Sequence, residues 1–261
     1  MKEFSLATKS YLFLTYIAGI AFFIWHAMQI NLNNPWLLGI LCLLASLTLI
    51  LKVEGATNRS HYTFSFLIYG FTFALYGIPE AIVVVIVSNL AEMIWDKRPW
   101  FIQLFNASCY IWVMQVASWL YSWINPGNTF VSWQAVLAIA ISMAAFNVLN
   151  HFMVGVVVWL ARGETFKQSG VFDFFPLILD LALLYFGASL SFVWNYNHFA
   201  LILFLIPIYL IYSTLRVPAL ERQTEIDNKT GLTEYIVNLK SSGSIQFFKL
   251  QLLNSNNTEN K

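Results

Sequence analysis

Charged residues are scarce in this chain. Only 10% of its 261 residues are Asp, Glu, Lys or Arg, while 59% are hydrophobic and 17% are aromatic. Soluble domains carry about 25% charged residues, so this composition excludes a soluble domain and excludes disorder over most of the length. The formal net charge of +1 also excludes a nucleic-acid-binding protein with a broad basic field. The mean hydropathy of +0.66 indicates an integral membrane protein instead.

Cysteines are few, and familiar catalytic motifs are absent from the sequence. Cys42 and Cys109 are the only cysteines, and each lies inside an apolar run. They exclude a disulfide framework and a cysteine-based metal site. The sequence has no Gly-rich phosphate loop, no nucleophile elbow and no His-Glu-x-x-His motif. We therefore expect no catalytic residues, no metal and no cofactor, and no enzymatic activity.

Long apolar runs are plentiful, and they predict an all-α membrane bundle of about eight helices. A hydrocarbon core about 30 Å thick needs roughly 20 apolar residues per helix. The predicted spans are 11–30, 35–51, 62–78, 79–95, 100–123, 133–160, 174–194 and 198–215. The third and fourth are short and meet at Gly77, so a re-entrant pair is an alternative to two full crossings. Pro207 lies inside the eighth span and is expected to bend it.

Lysine and arginine occur before the first predicted span and in every second predicted loop. They precede the first span and follow the second, fourth, sixth and eighth, at Lys2, Lys9, Lys52, Arg59, Lys97, Arg98, Arg162, Lys167, Arg216 and Arg222. The other loops contain none. Because short loops rich in Lys and Arg stay cytoplasmic, we expect both termini in the cytoplasm and a multi-pass location in the cytoplasmic membrane.

A few strongly polar residues lie within the spans, where such groups usually face the protein interior. By predicted depth they share the cytoplasmic half of the membrane, at Asn89, Glu92, Asn106, Asn147, Asn150, His151 and Asp180. They are the candidates for ligand binding, in a cluster between spans four and seven. For the asparagines, hydrogen bonding between helices is the simpler alternative. For His151, a satisfied interior histidine is favoured over a metal ligand, because no second ligand stands at a suitable spacing.

Asp180 is the first choice among these candidates. It lies two turns beyond Asp173 in an otherwise apolar helix, so its carboxyl group needs a partner, a water-filled cavity or protonation. The residues able to stabilise it are Asn89, Asn147, Asn150 and His151. Asp180 either lines a functional cavity or is a packing residue.

The stretch from His61 to Trp112 resembles the multi-spanning N-terminal sensor regions of bacterial signalling proteins with cyclic-di-GMP synthesis (GGDEF) or hydrolysis (HD-GYP) domains. The likeness rests on Ser65-Phe66, Gly77 to Pro79, Asp96, Arg98 to Trp100 and Phe105-Asn106. The later run from Ala144 to Phe166 looks like the asparagine-bearing helix of the same family. The resemblance covers most of the membrane part, 1–215, and implies a sensor-like domain.

The polar tail after the last span adds to this resemblance. Residues 227–232, read as Asp-Asn-Lys-Thr-Gly-Leu, are similar to the opening of a diguanylate cyclase domain, with matches at Asp227, Thr230, Gly231 and Leu232. Lys229 and Glu234 depart from that motif, and no Gly-Gly-Asp-Glu-Phe signature follows. We therefore expect 216–240 to be a cytoplasmic linker and a remnant of a GGDEF domain, and 241–261 to be an unrelated, partly disordered tail.

Two functions of different classes fit these observations. The first is a membrane-embedded signal-input module of a truncated cyclic-di-GMP signalling protein, non-catalytic as it stands. The second is a small-solute transporter or its substrate-binding membrane subunit, which an interior polar cluster would also serve. The Thr-Gly-Leu tail favours the first. The expected partners are the lipid bilayer and a small ligand of unknown identity, a homodimer is an option, and nucleic acid is excluded.

Overall fold

The computed structural model describes residues 4–31, 34–54, 61–97, 99–127 and 132–214, and these are almost entirely helical. The helices are α1 Leu6–Ala27, α2 Pro35–Ile50, α3 Ser65–Tyr76, α4 Ile78–Asp96, α5 Trp100–Ile124, α6 Trp133–Arg162, α7 Phe166–Ser169 and α8 Phe174–Asn197. A 3₁₀-helix, His198–Phe204, follows α8, and positions 205–214 are again helical. Two short antiparallel strands, β1 Val53–Glu54 and β2 His61–Tyr62, separate α2 from α3.

The chain divides into two compact units, Met1–Pro207 and Ile208–Lys261. The first unit holds the helical bundle. The described part of the second unit is the helical stretch 208–214.

Local sequence signals mark several helix starts. The side chains of Ser5, Asn34 and Ser132 accept hydrogen bonds from backbone N–H groups in the first turns of α1, α2 and α6. These groups would otherwise lack partners, since the first four N–H groups of a helix have none within it. Thr165 and Gln168 form a capping box that starts α7.

Glycine allows two sharp changes of chain direction. Gly77, between α3 and α4, has φ of 91°, and Gly163, at the end of α6, has φ of 71°. Residues with a Cβ atom rarely adopt such positive φ values. The α3–α4 hairpin therefore needs no loop beyond Gly77.

Helix α3 forms the centre of the bundle. Its nine consecutive residues from Ser65 to Phe73 are all buried. Phe66 packs edge-to-face against Tyr110 of α5 and Phe146 of α6, at ring-centroid distances of 5.8 and 6.0 Å. A helix that is apolar all round belongs in the interior of a bundle, and α3 packs against α2, α4 and α8.

The crossing of α3 and α8 depends on two glycines. A Cβ atom at Gly70 would collide with the carbonyl oxygen of Leu184, and one at Gly187 would collide with the carbonyl oxygen of Leu67. The two backbones are therefore in direct contact. Small residues permit this close approach of membrane helices.

Contacts between helices show which helix termini lie at the same end of the bundle. Thr8 in α1 donates to the carbonyl of Leu160 in α6 at 2.8 Å, and Tyr16 donates to the carbonyl of Phe101 in α5 at 2.8 Å. Lys52, after α2, contacts Asp96 at the end of α4. The starts of α1 and α5 thus share one end with the final turns of α2, α4 and α6. We call this the basic end, because Lys9, Lys52, Lys97 and Arg162 belong to these helix termini.

The helix bounds follow the predicted spans within a few residues, with two differences. Helix α3 has only 12 residues, which gives a length of about 18 Å. Pro207 falls in the first turn of the helical stretch 205–214, after the 3₁₀-helix His198–Phe204, so the regular α-helix is interrupted on the N-terminal side of Pro207. Proline is tolerated in a first turn, because the first N–H groups of a helix have no internal partner. The bend expected at Pro207 stays a prediction.

Four helical segments of the described chain are long and apolar enough to cross a membrane. They are α1, α4, α6 and the helical stretch Phe174–Thr214, which contains the 3₁₀-helix. Helices α2 and α3 are apolar but shorter, and α5 has 25 residues without a charged side chain. The described chain is therefore an all-helical bundle of the kind found in membrane proteins.

The exterior of the bundle is apolar. Phe13, Ile24, Leu43 and Phe152, from three different helices, all have exposed side chains. Tryptophans near helix ends are exposed too, at Trp25, Trp36, Trp95, Trp100, Trp123 and Trp133. Apolar flanks bounded by tryptophan suit a bilayer with aromatic belts at its interfaces.

Candidate functional site

A buried acid–histidine pair joins α6 to α8. Nε2 of His151 lies 3.2 Å from Oδ2 of Asp180, and the two side chains are only 9% and 14% exposed. Nδ1 of His151 lies 2.5 Å from the carbonyl oxygen of Val171, in the segment that connects α7 to α8. His151 therefore holds both α8 and the connection that leads into it.

The geometry of His151 determines where its protons are. The Val171 carbonyl can only accept, so Nδ1 must carry a hydrogen. At Nε2, either the ring donates to an ionised Asp180 or a protonated Asp180 donates to the ring. Both arrangements are neutral overall, which is the inexpensive state for a pair inside a membrane protein. The pair shares one proton between its two side chains.

Asn147 extends this site by one turn along α6. Its Nδ2 donates to the carbonyl of Leu177 in α8 at 2.8 Å. Its Oδ1 is buried and has no hydrogen-bond partner. Together, His151, Asp180 and Asn147 form a polar seam between α6 and α8. An unsatisfied amide oxygen in this seam offers an acceptor to a water molecule or a small ligand.

A second polar cluster lies at the basic end, between α2, α4 and α5. Nζ of Lys52 lies 3.0 Å from Oε1 of Glu92 and also contacts Asp96. Nε2 of Gln103 donates to Oε2 of Glu92 at 2.9 Å. Glu92 is 3% exposed, so the ammonium of Lys52 and the amide of Gln103 replace the water that a carboxylate would otherwise bind.

The remaining predicted residues do not join these two clusters. Asn150 accepts a long contact of 3.5 Å from the thiol of Cys109 in α5. Asn89 donates to the carbonyl of Val85 in its own helix at 2.8 Å. Asn106 is half-buried on α5. Among the described residues, the side-chain hydrogen bonds of Glu92 join α4 to α5 and to Lys52, whereas that of Asp180 joins α8 to α6.

Two buried polar contacts lie toward the opposite end and were not among the predicted residues. Nε2 of His26 in α1 lies 2.6 Å from Oε1 of Gln115 in α5. Oε1 of Glu80 in α4 accepts from the backbone N–H of Asn31 at 2.7 Å, and Glu80 is 3% exposed. These contacts hold α1 to α5 and α4 to the α1–α2 connection. They are structural links, because each joins a helix end to its neighbour.

The output-domain residues named from the sequence, Asp227, Thr230, Gly231 and Leu232, lie outside the described residues. Within the described part of the chain, no three His, Cys, Asp or Glu side chains are placed to hold a metal ion. A comparison with protein-family models, curated proteins and solved structures finds no match to this chain.

Proposed function

We propose that this chain is the membrane-embedded signal-input module of a bacterial cyclic-di-GMP signalling protein. The observation that carries the proposal is the His151–Asp180 pair, which ties α8 to α6 at a buried, proton-sharing contact. Helix α8 leads through the 3₁₀-helix His198–Phe204 into the stretch 205–214, from which the chain continues toward the tail. A ligand that changes this contact therefore changes the packing of the helix that precedes the exit segment.

The proposed topology has eight crossings, with both termini in the cytoplasm of a bacterial inner membrane. The basic end defined above faces the cytoplasm, in agreement with the positive-inside rule. Helix α3 is short for a crossing, but its buried side chains contact protein, so its length need not match the full thickness of the lipid. A re-entrant α3–α4 pair would keep the same loops inside.

The sequence of the tail supports a signal that passes from the membrane helices to a cytoplasmic output domain. The run Asp227 to Leu232 is similar to the start of a diguanylate cyclase domain and follows the last apolar segment after a short charged linker. The chain itself is proposed to be non-catalytic, because residues 233–261 carry no cyclase signature. Conversion of GTP to cyclic-di-GMP by the purified chain would contradict this part of the proposal.

A chimera tests the signalling role. Residues 1–232 are joined in frame to the remainder of an active diguanylate cyclase domain and reconstituted in vesicles. Cyclic-di-GMP synthesis is then measured while the pH and a panel of amino acids, sugars and phospholipids are varied. We expect a change in rate of several fold under at least one condition, and loss of that response in Asp180→Asn. Equal rates under every condition, in a folded chimera, would overturn the proposal.

A small-solute transporter is the second candidate. The 3₁₀-helix His198–Phe204 interrupts the stretch Phe174–Thr214, and transporters commonly bind substrates beside discontinuous helices. Accumulation of a radiolabelled amino acid or sugar by vesicles that contain the full chain would favour this candidate. The same vesicles, made with Asp180→Leu, provide the control for leakage.

A further inference from the structure

A groove on the outside of the bundle runs between α1, α4 and α5. Its volume is about 320 Å³, and its walls include Gly19, Ile20, Leu90, Leu104 and Ile111. Ile20 and Leu90 are exposed on the apolar exterior. In a membrane, the groove is therefore open to the lipid.

The length of the groove along α5 matches one leaflet of a bilayer. Along α5 its lining extends from Trp100 and Gln103 to Ile111. The eight residue steps from Gln103 to Ile111 correspond to about 12 Å along the helix. Half of a hydrocarbon core about 30 Å thick is about 15 Å. Trp100, at the start of α5, marks the interfacial end of the groove.

The interfacial end also carries an unsatisfied acceptor. Gln103 lines the groove, and its Oε1 is buried without a hydrogen-bond partner. The orientation of the amide is set by its Nε2, which donates to Glu92 at 2.9 Å. Only a donor can satisfy Oε1. The groove thus combines an apolar channel with one buried acceptor near its Trp100 end.

We propose that the groove binds a phospholipid, with one acyl chain along α5 and a head-group N–H donor, such as that of ethanolamine, at Oε1 of Gln103. The bilayer is the source of the occupant, because the groove opens onto the apolar exterior. The site shares no residue with the α6–α8 seam. The assignment therefore does not depend on the proposed signalling role.

Native mass spectrometry of the purified full chain tests the assignment. The protein is titrated with palmitoyl-oleoyl phosphatidylethanolamine or phosphatidylcholine, which have identical chains. The choline head group has no N–H or O–H donor. We expect one tightly held lipid and a preference for ethanolamine of up to about tenfold, the ratio that a single hydrogen bond supplies. Equal affinity for the two lipids would overturn the role of Gln103.

Variants separate the channel from the acceptor. Ala107→Phe fills the groove and should lower binding of both lipids several fold, and Gln103→Met should abolish only the preference for ethanolamine. Val148→Phe, at an exposed site on α6, is the matched control and should bind as the parent does. If Ala107→Phe does not fold, Ile20→Trp blocks the groove from α1. Unchanged lipid binding in the folded blocking variant contradicts the site.

A long-chain alcohol provides the last arm of the experiment. Hexadecanol has an O–H donor and a single chain but no phosphate. We expect it to bind more weakly than the phospholipid and to be displaced by it. Tighter binding of hexadecanol than of phosphatidylethanolamine would overturn the phospholipid assignment.

Discussion

When Asp180 is ionised, each ring nitrogen of His151 faces a hydrogen-bond acceptor, so the ring carries a hydrogen on both nitrogens. When Asp180 is protonated, its carboxyl group donates the shared hydrogen to Nε2 instead. Because the pair is neutral in either form, a proton can change position without a change in the charge of the membrane interior. The pair therefore has two hydrogen-bonding states that differ only in the position of one proton. A bound ligand can shift the equilibrium between two such states.

Substitution of Asp180 separates its structural and functional roles. In Asp180→Asn, a neutral His151 can still donate from Nδ1 to Val171 and accept at Nε2 from the new amide. We expect its free energy of unfolding in detergent to stay within about 1 kcal/mol of the parent value. Asp180→Leu leaves Nε2 without a partner and should lower the free energy of unfolding by roughly 1–3 kcal/mol.

Asp173, at the start of the same helix, provides the matched control. It is exposed, and its side chain makes no capping hydrogen bond. Asp173→Leu should therefore lower the free energy of unfolding by less than about 1 kcal/mol, through the lost interaction with the helix dipole. A loss for Asp173→Leu as large as that for Asp180→Leu would contradict the importance of the buried pair.

A double-mutant cycle tests the cluster at the basic end. Lys52→Met removes the ammonium beside the buried carboxylate of Glu92 and should lower the free energy of unfolding by about 1–3 kcal/mol. Glu92→Gln removes the charge that Lys52 stabilises. We expect the double variant to be more stable than the sum of the single losses predicts, with a coupling of at least about 0.5 kcal/mol. Strict additivity in denaturant titrations would exclude a direct interaction.

At the scale of the helices, sequence signals predicted the segments well and their packing poorly. Pro35 and Pro99 mark the starts of α2 and α5, and the apolar runs have nearly the observed lengths. The rotation of each helix about its axis depends on contacts with distant segments, and hydropathy does not contain that information. Depth alone left Asp180 with four candidate partners, and the packing of α6 on α8 selects His151.

The same limit explains the residues that the sequence did not reveal. The predicted topology puts Glu92 and Lys52 toward the same membrane face, but only the packing of α2 on α4 shows that they pair. Gln103 carries no charge, and its role emerges only when α4 and α5 are side by side. Gly70 and Gly187 are separated by more than a hundred residues, and nothing in their local sequence indicates that their helices cross.

The α3–α8 crossing yields a prediction about single methyl groups. Gly187→Ala places a Cβ atom against the Leu67 carbonyl and should lower the free energy of unfolding by about 1–3 kcal/mol. Gly39→Ala, on α2, meets no atom within 4 Å and should raise stability by about 0.5–1 kcal/mol, since alanine is the better helix former. The two variants add the same group within helices, so opposite signs in thermal unfolding isolate the crossing. A stabilising Gly187→Ala would show that the two backbones are farther apart.

At the scale of the whole molecule, the proposed orientation can be tested by labelling two loops at opposite ends. Gly127 follows α5, and Lys167 lies after α6 at the basic end; both are exposed. In a chain lacking Cys42 and Cys109, we expect Gly127→Cys to react with a membrane-impermeant maleimide in intact cells. Lys167→Cys should react only after permeabilisation, because Lys9, Lys52, Lys97 and Arg162 lie at the same end of the bundle and the positive-inside rule places that end in the cytoplasm. The reverse pattern would invert the bundle and place the tail outside the cell, where GTP and a cyclase domain have no function. Labelling of both positions in intact cells would instead mean an even number of crossings between them, and α6 would then not span the membrane, although its 30 mostly apolar residues are long enough to do so.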